Sequence, residues 1–156
     1  MENPVNTIIF SPPFLGNGDR FVTTGPFANW QLPNLEPLST RNIGTRSTLF
    51  SKVIINTILT RCRTIEISAP TAQVQFDLDR AHGGPHNWVG GHMEGLNTAA
   101  HDPVFSLHHA FIGSCARGVS GVASFITTDK QLQSNRGCCF RIQTLFPEGF
   151  PFFSLI

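Results

Sequence analysis

All six histidines of this 156-residue chain fall in one window, at positions 82, 86, 92, 101, 108 and 109. Unconstrained placement would spread them. The same window has no Lys or Arg between Arg80 and Arg117, although the chain carries 11 such residues, so the local charge leaves room for a bound cation. His82 and His86 stand at i, i+4, which on a helix puts both imidazoles on one face, roughly 6 Å apart. Two rings at that separation can share one ion. The spacing therefore asks for a helix that presents metal ligands.

Further along, Asp102-Pro103 is a strong helix-start signal, with Asp as N-cap and Pro at the first helical position. The helix it opens carries His108 and His109. Neighbouring helical residues point about 100° apart, so only one of that pair faces a given metal, and the other packs or hydrogen-bonds behind it. His92 and His101 read as surface or satisfied core residues. Imidazole donors alone leave zinc and copper both open, since three histidines with a vacant position also describe a catalytic zinc site.

The string H82-G-G-P-H86-N-W-V-G-G, then Met93, A100-H-D102-P-V-F105 and L107-H108-H109-A-F-I, resembles the second copper-binding motif of the tyrosinase family. These are the type 3 copper proteins: tyrosinases, catechol oxidases and molluscan haemocyanins. The resemblance implies that His82, His86 and His109 are copper ligands, that Phe105 packs against the site, and that His108 and Asp102 lie behind the ligands. The segment F14-L-G-N-G-D19 with V22-T-T-G-P-F-A-N-W30 is similar to the loop preceding these helices in animal members. Its Gly-Asn-Gly-Asp turn is read as structural rather than as a calcium or phosphate loop.

With 40% hydrophobic residues and net charge +1, the chain can bury a core as one domain at most, and nothing in its charge suggests nucleic acid. Met1 to Phe14 lacks a basic region followed by an apolar core. No apolar run approaches the length of a membrane span. Neither a signal peptide nor a transmembrane segment is visible, and localisation stays open. Residues 1–46 read as a loop-rich leading segment, punctuated by Gly and Pro too often for regular elements. Residues 47–112 read as the copper B part of a tyrosinase-like domain, and 113–156 as a divergent, poorly ordered tail. The expected fold class is mainly α with long loops, a partial helical bundle built on the copper B helix pair.

Within the middle part, Ser51 can cap a helix running to about Thr60, with Leu49, Val53, Ile54, Ile58 and Leu59 favouring one side. The β-branched run Val53-Ile54-Ile55 keeps a strand open. Apolar residues alternate at 72, 74, 76 and 78, which suits a strand by period, whereas the resemblance implies a helix delivering His82. Gly83-Gly84-Pro85 is expected to interrupt that helix, leaving His82 and His86 across a helix-to-loop junction. Cys62, Cys115, Cys138 and Cys139 form no recognisable framework.

The resemblance also implies a chemistry. Intact family members hold two coppers, each on three histidines, and oxidise phenols or catechols to quinones with dioxygen. Residues 1 to 81 contain no histidine, so one copper is expected here, on one trio, and the chain alone is expected to be inactive. Family members that hydroxylate monophenols often carry Asn directly after the first ligand, where this chain has Gly83, with Asn87 following His86 instead. The acids nearest the ligands are Glu94 and Asp102, and Asp102 reads as a helix cap rather than a base. The expected function is that of a truncated tyrosinase-like copper oxidoreductase. A non-catalytic copper-binding or partner-binding fragment is the alternative, and a mononuclear zinc hydrolase the third choice. Uncovered apolar faces would favour self-association.

Overall fold

A computed structural model of the chain describes residues 8–31 and 39–128, with side chains described as far as Val119. The architecture is mainly α, as expected, with long connections. Three helices are described: α1 (Lys52–Leu59), α2 (Leu78–Val89) and α3 (Pro103–Thr128). Two compact units share them. One combines residues up to Leu49 with Gly83–His109, and the other combines Phe50–His82 with the chain from Ala110. The division falls inside α2, after His82, and inside α3, after His109.

In the first unit the leading segment is not all loop. Strands β1 (Asp19–Phe21) and β2 (Thr40–Asn42) pair antiparallel, Arg20 opposite Arg41. The turns that argued against regular elements instead bracket two three-residue strands. Asn17 organises the Gly-Asn-Gly-Asp turn. Its amide Nδ2 donates to the carbonyls of Asp19 and Phe21, each at 2.7 Å. Its Oδ1 accepts from the backbone N–H of Thr23 at 2.8 Å and of Thr24 at 3.2 Å. It also accepts from the Thr24 hydroxyl at 3.2 Å, so the side chain's polar capacity is spent within the turn, which makes the turn structural. The core of this unit gathers Phe10, Leu15, Ile43, Trp88, Val89, Met93, Ala99 and Val104.

In the second unit α1 forms where Ser51 predicted it, the Ser51 hydroxyl accepting from the Ile54 N–H at 3.3 Å. A strand over Val53-Ile54-Ile55 is excluded. The buried side of α1 is Ile55, Ile58 and Leu59, at i, i+3, i+4, whereas Val53 is 73% and Ile54 41% exposed. These residues pack with Ile67, Leu78, Phe111, Cys115 and Val119, and Phe50 stacks on Phe111 with centroids 5.6 Å apart. The alternation before His82 yields no strand: Val74–Phe76 is a 3-10 turn, and α2 starts at Leu78.

Two boundaries differ from the sequence expectation. Helix α2 continues through Gly83-Gly84-Pro85 to Val89, so His82 and His86 ride one unbroken helix rather than a junction. Pro85 lacks only one amide and can be carried inside a helix when the surrounding packing offsets about 3 kcal/mol. Gly84 is needed there for a different reason: a Cβ on it would stand 2.9 Å from the Thr48 carbonyl oxygen. Helix α3 continues beyond Ile112 through Gly113-Ser114-Cys115 to Thr128. The remainder of the expected tail, with Cys138 and Cys139, lies outside the described residues. Among the described residues no helix is long and apolar enough to cross a membrane.

Candidate metal centre

The site is built where α2 and α3 present their histidines. His86 is held from behind. Its Nδ1 lies 2.8 Å from the Met93 carbonyl oxygen. A carbonyl only accepts, so the proton of a neutral His86 sits on Nδ1 and the lone pair on Nε2. That Nε2 is 3.3 Å from Nε2 of His109. Two ring nitrogens at this distance can share a proton or face one cation.

His108 contributes as well. Its ring meets His86 edge-on with centroids 5.0 Å apart, and it is the more deeply placed of the adjacent pair, 5% exposed. His82 precedes His86 by one turn of the same helix. Within the first unit the ring nitrogens of His86 and His108 lie within 4.8 Å of each other. The structure thus brings three histidines together in the first unit, with both members of the His108-His109 pair beside His86. It leaves His92 and His101 out of that group. Phe105 is stacked on His109 at 3.9 Å between centroids and edge-on to His86 at 5.9 Å.

The electrostatics favour the neutral form of His109. Burial, and then the charge of His86, hold His109 below the ordinary histidine value of 6.5. Metal competes best for an imidazole that carries no proton.

Neither nearby acid is poised as a base. Asp102 is 1% exposed and is consumed in structure. Arg41 grips it with Nε to Oδ2 at 2.8 Å and Nη2 to Oδ1 at 2.9 Å, the two side chains fully buried. Ser39 Oγ donates to Oδ2 at 3.0 Å, and the Val104 N–H to Oδ1 at 2.9 Å. The last bond caps α3, as the Asp-Pro pair predicted. The remaining Arg41 nitrogen, Nη1, donates to the carbonyls of Leu15 at 2.8 Å and Asn17 at 3.2 Å. Asp102 therefore fixes the start of the helix that carries His108 and His109. Glu94 is paired with Arg46 at 2.5 Å on the surface.

Sequence reasoning missed Arg41, because an isolated arginine between loops gives no sign of its distant partner. It also missed the Met93 carbonyl, since a backbone acceptor leaves no trace in residue type. The turn that delivers this carbonyl is legible only in its glycines. Gly90 and Gly91 both take positive φ, +66° and +56°, and a Cβ on Gly91 would stand 2.0 Å from the Thr40 carbonyl oxygen.

A mainly helical protein with clustered imidazoles on two helices, one of them held by a backbone carbonyl, is a histidine-ligated metalloprotein in outline. Comparison with known proteins makes the class specific. The model of the common central domain of tyrosinase matches residues 3–116, well over half of the chain and beyond the point at Gly113 where the likeness was expected to stop. The chain is 34% identical over 115 residues to a tyrosinase-like protein, tyr-3, of Caenorhabditis elegans, covering 69% of this chain and 17% of the relative. It is 34% identical over 130 residues to tyrosinase-like protein 2 of Margaritifera margaritifera, and 34% identical over 132 residues to a tyrosinase-like protein of Pinctada maxima; each match covers 72% of this chain and 28% of the relative. The chain belongs to the tyrosinase family, whose metal is copper. It spans less than a third of the length of these relatives.

The donor set suits that metal. Neutral imidazole nitrogens bind copper well, and the Met93 contact orients one of them.

Proposed function

We propose that this chain supplies the copper B half of a type 3 centre, holding one copper ion on His82, His86 and His109, in a protein that oxidises phenols or catechols to quinones with dioxygen. The observation that carries the reading is the facing pair of Nε2 atoms of His86 and His109, 3.3 Å apart, with the His86 proton fixed on the far nitrogen by Met93. His109 is preferred over His108 as third ligand because its Nε2 meets the lone-pair face of His86, while His108 is the deeper of the two rings. Bound copper supplies one-electron redox chemistry.

The protein's part is positional. Phe105 covers one face of His109 and limits its rotation. Gly83 leaves open space at the position after the first ligand, with nothing within 4 Å of where a Cβ would stand. No side chain there can orient a water to deprotonate a monophenol, which favours catechols as substrates. A second histidine trio must come from outside these 156 residues, because none of the first 81 is histidine and His92 is engaged by Thr40. The same count supports a copper-binding role without turnover for the chain by itself.

Metal analysis of the purified chain after copper loading tests this. One copper per chain is expected, lost in His109→Ala, retained with weaker affinity in His108→Ala, and accompanied by no quinone formation from catechol. Zinc in place of copper, or copper retained in His109→Ala and lost in His108→Ala, would overturn the assignment. Catechol oxidation by the chain alone would overturn the half-centre. Self-association would rest on exposed apolar side chains such as Val53 and Ile54 on α1, and light scattering across concentration reads it directly.

A further inference from the structure

Strand β2 meets the turn after α2 at several points. The Thr40 backbone N–H donates to His92 Nδ1 at 2.9 Å. Gly91, at φ +56°, comes so close that any Cβ would collide with the Thr40 carbonyl oxygen, and a Cβ on Gly90 would stand 3.2 Å from that of Asn42. Met93 follows His92 in the 3-10 turn Gly91–Glu94 and is fully buried. Its carbonyl oxygen is the acceptor for His86 Nδ1.

An unbroken line of contacts thus runs from Thr40 through His92 and the Met93 backbone to His86. We infer that His92, a histidine inside a metal-binding cluster by sequence, is not a ligand but a positioning residue for His86. Its Nδ1 lone pair is taken up by a backbone amide, which locks the Gly91–Glu94 turn onto β2. That lock holds the Met93 carbonyl where it fixes both the tautomer and the direction of the His86 ring. Without it the turn loses its hydrogen bond to β2, and the Met93 acceptor can drift from the 2.8 Å distance that keeps Nε2 aimed at His109. The inference rests on the reading of His86 as a metal ligand.

Two substitutions separate positioning from ligation. In His92→Asn the side-chain Oδ1 stands close to where Nδ1 was and still accepts the Thr40 N–H; in His92→Leu no acceptor remains. Copper affinity is measured by competition with a chelator, and the His86 tautomer by nitrogen-15 NMR of the metal-free full chain. His92→Leu should bind one copper about tenfold or more weakly, the size of effect usual when a ligand's outer partner is lost. His92→Asn should stay close to wild type, and His86 should be protonated on Nδ1 in both wild type and His92→Asn.

Unchanged copper affinity in His92→Leu would overturn the inference. So would loss of the ion in both variants, which would make His92 a ligand. Should His92→Leu fail to fold, His92→Asn and the tautomer decide it, an Nε2-protonated His86 in the wild type being fatal. Should the wild type bind no copper, the metal reading fails, while the tautomer of His86 still reports on the positioning.

Discussion

Removing the carboxylate of Asp102 is the sharpest perturbation this fold offers. In the native protein its two oxygens accept four hydrogen bonds, two from Arg41, one from Ser39 and one from the Val104 amide. Both partners of the ion pair are at 0% side-chain exposure. Asp102→Ala leaves the Arg41 guanidinium buried with its principal partner gone. Breaking a buried pair in this way costs about 3–5 kcal/mol, and loss of the α3 cap adds about 1 kcal/mol. A net stability of about 5–15 kcal/mol is usual for a domain, so the variant should keep only part of its stability. The corresponding fall in melting temperature is on the order of 10 °C.

Urea unfolding followed by Trp88 fluorescence, in a Trp30→Phe background, reads the unit that contains the pair, because Trp88 is 6% exposed and packs in the same core as Val104. A double-mutant cycle with Arg41→Met completes the experiment. The double variant Arg41→Met, Asp102→Ala should cost clearly less than the two single variants summed, because neither charge is then left unpaired. A cost below about 1 kcal/mol for Asp102→Ala, or full additivity in the cycle, would refute the account of Asp102 as the fixed origin of α3.

Other outcomes follow from single contacts. Gly91→Ala places a methyl 2.0 Å from the Thr40 carbonyl oxygen at φ +56°, and should cost at least about 2 kcal/mol by urea midpoint. Because burial and the His86 charge lower the His109 pKa in the folded chain, the unfolded chain binds the proton first. The contribution of this group is intact above the ordinary value near 6.5 and is lost as pH falls below it, down to the folded pKa. The urea midpoint of the metal-free chain should therefore fall as the pH is lowered below about 6.5, and fall less in His109→Phe; a midpoint that rises on acidification contradicts the sign. Cys115 is 1% exposed and burial pushes its thiol up to about 11. It should resist a thiol reagent at pH 8 in the native state and react at once in denaturant, since thiolate and access are both required.

Much of the site was readable in advance because it is written in residue type and local spacing. The i, i+4 histidines, the Asp-Pro helix start and the adjacent His108-His109 pair are each matters of a few consecutive residues. The helix cap at Ser51 was equally local. What misled was local pattern set against packing. Gly83-Gly84-Pro85 looks like a helix breaker, yet α2 runs through it, where Gly84 is called for by the nearby Thr48 carbonyl. The apolar face of α1 is shifted by one residue, with Ile55 buried and Ile54 exposed, because a short helix takes its rotation from what it packs on.

The amino-acid order alone determined that this chain carries a clustered imidazole donor set on two helix signals, in the pattern of a copper-binding family. Those are properties of neighbours in the chain, and neighbours are fixed by covalent geometry. Only the tertiary structure decided that Arg41 holds Asp102, 61 residues away, and that the Met93 backbone sets the proton on His86. It also decided that both His108 and His109 come within reach of His86. Such partners meet through folding, and a carbonyl oxygen or a buried guanidinium declares no preference for its mate until packing has excluded water and left it one to bond.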